Sequence, residues 1–136
     1  MAFQMRLLLG RADLFDPTLE NVLAYLEQQT SFGLEGDDGL LTASFHVERF
    51  GPVSCIQAEG IGDTDQFVLT DPERGDEVVK SVTDSGDVYC YAAFCLVGRD
   101  LVERALRYFA QTGSRDYTLR WQPVSDLLRS GSVDFA

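Results

Sequence analysis

The sequence predicts an α+β fold: a single antiparallel β-sheet with two helices packed on one face, in the order β-α-β-β-β-β-β-α-β. Two observations carry this. Leu19, Val22, Leu23 and Leu26, and again Val102, Ala105, Leu106 and Phe109, recur at i, i+3, i+4 and i+7, the spacing that gathers apolar side chains along one side of a helix. Between these stretches lie short segments of alternating apolar and polar residues joined by brief turns, and short connections favour antiparallel neighbours. A chain of 136 residues, 45% hydrophobic and 24% charged, makes one domain spanning 1–136, large enough to be stable without metal or disulfide staples.

The elements follow in order. Phe3, Met5, Leu7 and Leu9 alternate with Gln4 and Arg6 as a first strand that Gly10 ends. Asp16 can cap a helix, Pro17 has the fixed φ suited to a first helical position, and Glu20 favours the positive dipole end, so a helix runs from here to Gln29. Gly33-Leu34-Glu35-Gly36-Asp37-Asp38-Gly39 reads as an acidic, turn-rich loop. Leu41, Ala43, Phe45 and Val47 form a half-buried strand, Gly51-Pro52 breaks it, and Val53 to Ala58 returns beside it. Phe67 to Thr70, Val78 to Val82 and Val88 to Phe94 continue as a meander, parted by Asp71-Pro72-Glu73-Arg74-Gly75 and Asp84-Ser85-Gly86-Asp87. Gly113, just past the second apolar stripe, is placed to cap that helix in a left-handed conformation. Tyr117, Leu119 and Trp121 alternate as a last strand stopped by Pro123, with Trp121 buried in the core, and Ser130 to Ala136 read as a frayed tail.

Charge narrows the function classes. Against 22 acidic residues stand 11 basic ones, a formal net charge of -11, which disfavours direct contact with nucleic acid because phosphate binding needs clustered Lys and Arg. The longest apolar run, Val88 to Val97, is half the ~20 residues of a membrane span, and the three leucines near the amino end are too few for a secretory leader. A soluble, cytoplasmic protein is therefore expected. Cys55, Cys90 and Cys95 match neither a zinc nor a redox spacing; on one strand the last two point to opposite faces, so reduced thiols are expected. His46 is the single histidine and sits at a polar strand position, with nothing in the spacing to bring a cysteine nucleophile beside it. Asp63-x-Asp65 lacks the glycine and closing glutamate of a calcium loop, and Gly10, Gly60 and Gly62 open no phosphate-cradling helix. No catalytic residue, metal site or cofactor is expected.

The acids are unevenly spread. From Asp13 to Glu48 there are eight acidic residues and no Lys or Arg, and from Glu59 to Asp87 the acids are opposed only by Arg74 and Lys80. One side of the molecule should be strongly negative, which suits solubility and also a docking surface for a basic protein partner whose approach it would accelerate. The candidate surface is formed by Asp63, Asp65, Asp71, Glu73, Asp76, Glu77, Asp84 and Asp87, with Phe67 or Tyr89 as an aromatic anchor. Glu35-Gly36-Asp37-Asp38 is a shorter competing patch.

The stretch from Leu101 to Trp121 resembles the carboxyl end of immunity protein family one of bacterial polymorphic-toxin systems, in which a helix runs into Thr-Gly, a polar turn and a strand ending in tryptophan. Ala105, Phe109, Thr112, Gly113 and Trp121 match that order and spacing, and the helix after Asp16-Pro17 is similar to the family's early helix. The sequence departs from the pattern where Val97-Gly98 and Asp116 stand in place of prolines and where Gln122, not an acid, follows Trp121. The resemblance implies a non-catalytic inhibitor that neutralises a secreted toxin, often a nuclease or nucleic-acid deaminase, in the producing cell. A small acidic chaperone or adaptor of a secretion system, binding an effector, is the alternative. The inhibitor is expected to act as a monomer or weak dimer, whereas a homodimer would favour the chaperone; either acts on a protein partner, not on nucleic acid or membrane.

Overall fold

The β-rich middle of the chain builds two antiparallel sheets rather than one. The computed structural model describes residues 4–9 and 12–15 by their backbone and residues 18–28, 31–37, 39–83 and 86–134 in full. The described elements are β1 (Gln4–Leu9), β2 (Ala12–Phe15), α1 (Leu19–Gln28), β3 (Ser31–Asp37), β4 (Thr42–Phe50), β5 (Val53–Glu59), β6 (Phe67–Leu69), a 3-10 turn (Pro72–Arg74), β7 (Val78–Val82), β8 (Val88–Ala92), a second 3-10 turn (Ala93–Cys95), β9 (Val97–Gly98), α2 (Arg99–Thr112), β10 (Trp121–Pro123), α3 (Val124–Ser130) and β11 (Val133–Asp134). The large sheet runs β10-β6-β5-β4-β3-β1-β2, with β9 also against β5; the small one runs β11-β8-β7.

The α+β class and the antiparallel pairing hold, and the single sheet is corrected to two. The meander cannot continue past β6 because β10, arriving from the far end of the chain, takes that edge with Trp121 opposite Leu69. The β7–β8 hairpin therefore folds over a face of the large sheet. Alternation along β4 and β5 sorts the two cores. Ala43, Phe45, Val47, Ile56 and Ala58 pack with Val22 and Leu26 of α1 and with Val102, Ala105, Leu106 and Phe109 of α2, so both expected helices do share one face. Cys55 and Val68 point the other way, into a second core with Tyr91, Ala92, Cys95, Leu96, Leu127 and Val133. Strand β5 is buried on both sides, with Ser54, Cys55 and Ile56 consecutively inaccessible.

Several boundaries differ from expectation. The segment read as an acidic loop is β3, whose Phe32, Leu34 and Gly36 are buried; it lies between β1 and β4, and a ladder on each side overrides the turn tendency of its glycines. Strand β2 was unexpected, and Leu41, assigned to the half-buried strand, is half exposed ahead of β4. Helix α1 is capped at Thr18, whose Oγ1 accepts from the Asn21 amide while Asn21 Oδ1 accepts from the Thr18 amide, both at 3.1 Å. Asp16, Pro17 and Gln29 lie outside the described residues, as do Phe3 and Gly10 of the expected first strand. At the other end of α1 the Arg49 guanidinium donates to the Leu26 carbonyl at 3.0 Å, satisfying a terminal acceptor.

Helix α2 ends as expected. Gly113 has φ 71°, and its amide donates to the Phe109 carbonyl. The strand expected over Tyr117–Trp121 is instead a turn organised by Asp116, whose Oδ1 accepts from the Thr118 amide and hydroxyl and whose carbonyl accepts from the Leu119 amide and the Trp121 indole. Strand pairing begins only at Trp121, which is half-buried rather than enclosed. Pro123 does not stop the chain; it precedes α3, which carries Leu127 into the second core. The expected frayed tail is corrected likewise: Val133 is buried and β11 pairs with β8, while residues 135–136 lie outside the described residues. Among the described residues no helix is long and apolar enough to cross a membrane.

Candidate partner-binding surface

The acids proposed from the sequence fall into two groups that do different work. Asp63 is inside the fold. Its carboxylate accepts from Arg115 Nε at 2.8 Å and Nη2 at 3.1 Å, a bidentate pair with both side chains about nine-tenths buried, and also from the Gly60 amide at 2.8 Å. Burial pushes the Asp63 carboxyl up, but the hydrogen bonds from Arg115 and Gly60 and the Arg115 charge outweigh it and hold it below the ordinary aspartate value. Phe67 is the other half of this knot: the Arg115 guanidinium lies 3.5 Å from its ring centroid, with Tyr117 at 5.0 Å and Trp121 at 5.8 Å. Gly60 is fixed by crowding, since a Cβ there would sit 3.2 Å from the main-chain nitrogen of Arg115, Asp63 Oδ2 and the Ser114 Cα.

Asp65 and Asp71 also serve local structure. Asp65 accepts from the Ser125 hydroxyl at 2.6 Å, tying the first turn of α3 to the β5–β6 loop. Asp71 accepts from the Glu73 amide at 3.2 Å and caps the Pro72–Arg74 turn, with the Arg74 guanidinium 3.6 Å away. These four residues are engaged by the fold.

Glu73, Asp76 and Glu77 are exposed on the loop leading into β7, and Asp87 is exposed at the start of β8. The loop is pinned at its base. Asp71 donates its amide to the Phe94 carbonyl, the Phe94 amide donates to the Gly75 carbonyl, and the Ala93 amide donates to the Glu77 carbonyl. Gly75 has φ 82°, a backbone state that disfavours side chains, so the turn that presents the acids depends on it. Beside them β7 and β8 expose apolar surface at Val78, Val82 and Val88. Asp84 lies outside the described residues. In the competing patch, Asp37 is exposed at the end of β3 and accepts from the Gly39 amide.

Tyr89 is half-buried. Its ring lies 6.5 Å from Phe50 and 6.2 Å from Tyr91, and it closes a recess of about 200 Å³ that also takes in His46, Glu48, Cys55 and Gln57. This recess was not anticipated; the available signal was that His46 and Glu48 on β4 and Cys55 and Gln57 on β5 alternate onto one face. Burial, then the neighbouring Cys95, pushes the Cys55 thiol up to about 12, so at neutral pH it stays protonated and is a poor nucleophile. His46 lies 3.6 Å from Glu48 with half its side chain in solvent. The cysteines are free thiols, and among the described residues no cluster of three or more His, Cys, Asp or Glu is arranged to hold a metal ion.

The geometry therefore offers an acidic rim beside exposed apolar residues of β7 and β8. No family model matches the chain, and no curated protein is significantly similar to it.

Proposed function

We propose that the protein is a non-catalytic inhibitor of the immunity type, which binds a secreted bacterial toxin in the cytoplasm of the producing cell and holds it inactive. The toxin in this reading is a cationic nuclease or nucleic-acid deaminase domain. The observation that carries the proposal is the pinned loop that presents Glu73, Asp76 and Glu77 next to the exposed valines of β7 and β8. An apolar centre with a charged rim is the common anatomy of a protein interface, and carboxylates around it speed the encounter with a basic partner. The resemblance of Ala105, Phe109, Thr112, Gly113 and Trp121 to the immunity family supports the same reading. The net charge of -11 supports a basic partner over an acidic one.

The test is co-purification with the product of the neighbouring gene, followed by association kinetics at low and high salt. Neutralising Glu73, Asp76 and Glu77 together to Gln or Asn should slow association and flatten its salt dependence while leaving the melting temperature nearly unchanged. Unchanged rates in that variant would remove the acidic loop from the interface, and no complex with the neighbouring product would overturn the inhibitor reading.

A further inference from the structure

We infer that the outer edge of β7 accepts an extended, cationic segment of the protein partner as an added strand of the small sheet; this rests on the basic-partner reading above. Strand β7 is terminal in the order β11-β8-β7, and its five residues all pair with β8 on the other side. The Glu77 carbonyl accepts from Ala93 and the Thr83 amide donates to Asp87, which fixes the phase of the ladder. Residues 77, 79, 81 and 83 thus turn their main-chain groups toward β8. Those of Val78, Lys80 and Val82 turn outward, where no described strand meets them.

An exposed edge of this kind is usually blunted by proline, a bulge or a covering element; β7 holds no proline, pairs with β8 without a bulge, and has no covering strand among the described residues. Its blunting is limited to Lys80, between Val78 and Val82. Alongside the edge lies a groove of about 610 Å³ between β7 and the β4–β5 turn, walled by Phe50, Val53 and Leu96 on one side and by Val79, Ser81 and Val82 on the other, with Arg49 and Lys80 also on its lining, so that its middle suits apolar or neutral side chains and not cationic ones. A strand laid along β7 gains main-chain hydrogen bonds, while its alternate side chains enter an apolar groove, the combination by which sheet edges capture peptides.

Charge selects the occupant. The approach to β7 carries the exposed Asp76 and Glu77, Glu73 stands on the same loop with Arg74, which lies against Asp71, and Asp87 lies across the far end, so the acids outnumber the cations at both ends of the strand. A segment with Lys or Arg at its ends and apolar residues between them complements this arrangement. A second copy of the chain does not. Symmetric antiparallel pairing about Lys80 would set the two Lys80 side chains opposite each other and bring together two molecules of net charge -11 each.

The probe is a capped synthetic peptide that alternates valine with neutral polar residues and carries lysine or arginine at both ends, read by fluorescence anisotropy. Two perturbations separate strand addition from charge attraction. N-methylation of alternate peptide amides removes donors without altering charge. Lys80→Pro removes the outward amide of β7 and a positive charge together, leaves the ladder to β8, and should be tolerated because proline is accepted on an edge facing solvent.

Strand addition expects the N-methylated peptide in the pairing phase, and the Lys80→Pro variant, each to bind at least about tenfold more weakly. Charge attraction alone expects no loss with the first and tighter binding with the second. A melting curve checks that Lys80→Pro is folded; if it is not, the N-methylated peptides decide. Failure of the wild-type protein to bind the parent peptide, equal binding of every N-methylated form, or a wild-type dimer that Lys80→Pro dissolves would each overturn the inference. Equal capture of the neighbouring gene product by wild type and folded Lys80→Pro would overturn the edge and keep the inhibitor reading. Amide-dependent peptide binding without capture of that product would keep the edge and overturn the inhibitor.

Discussion

Replacing Arg115 by methionine should be among the most damaging single changes in the molecule, although Arg115 lies in a loop. The guanidinium and the Asp63 carboxylate meet through contacts at 2.8 and 3.1 Å with about a tenth of each side chain in solvent. Methionine fills much of the same space, so little cavity forms, and the dominant loss is the charge left behind. Removing one partner of a buried pair costs roughly 3–5 kcal/mol because the survivor is desolvated without compensation. The lost stacking on Phe67 adds to this, about 2 kcal/mol at the upper end for a desolvated cation over a ring. On a domain of this size a loss of 3–5 kcal/mol lowers the melting temperature by roughly 10–20 °C.

Urea denaturation of wild type, Arg115→Met, Asp63→Asn and the double variant would measure the loss and the coupling together. The pH dependence is a second readout. In the wild type the folded-state pKa of Asp63 is depressed, so its stabilisation is full above the ordinary aspartate value, about 3.9, and is lost as pH falls through the lower folded value. Without Arg115 the buried carboxyl should titrate above its ordinary value, so the variant regains stability as pH falls and the gap to wild type narrows. A loss below about 1 kcal/mol, the range of an exposed pair, would refute the argument, as would a gap that does not change with pH.

Phe109→Ala should cost about 3–5 kcal/mol, since the side chain is fully buried and its ring lies 5.1 Å from Phe45; an unchanged urea midpoint would contradict the helix–sheet packing. Gly60→Ala should destabilise by roughly 1–3 kcal/mol through overpacking against Arg115, Asp63 and Ser114, which a melting curve would detect. Thiol labelling of the native protein should modify Cys90 and spare Cys55 and Cys95, whose thiols are buried and pushed up to about 12, until denaturant is added.

Local pattern made part of this fold legible. Helix α2 announced itself through Val102, Ala105, Leu106 and Phe109 and through Gly113, because an amphipathic stripe and a glycine cap are properties of neighbouring residues. Strand β4 was visible for the same reason in Ala43, Phe45 and Val47. Strand β3 was obscured because Gly33 and Gly36 carry a turn signal that only its two partner strands override. Helix α3 was missed because seven residues give too few turns for a period, and Pro123 suggested a stop where it marks a start. The sequence did not sort the acids of the expected surface into those the fold engages and those it leaves exposed. Glu73 and Asp63 look alike in a list of acids. What separates them is an arginine 52 positions away from Asp63, a relation no local window contains.

Strand β5 inserts Cys55 into one core and Ile56 into the other, so adjacent residues of a single strand belong to packing units on opposite faces of the large sheet. Neither unit can loosen at this strand without disturbing the other. The two should therefore melt together, as one cooperative block instead of a stable body with a detachable layer. In native-state hydrogen exchange the amides of Ser54 to Ala58 should open only with global unfolding, whereas the hydrogen-bonded amides of Glu73, Arg74 and Gly75 in the exposed loop should exchange through local opening. A cavity made in the small core would then destabilise the helical one as well, and a partner seated on the small sheet would tighten the whole molecule.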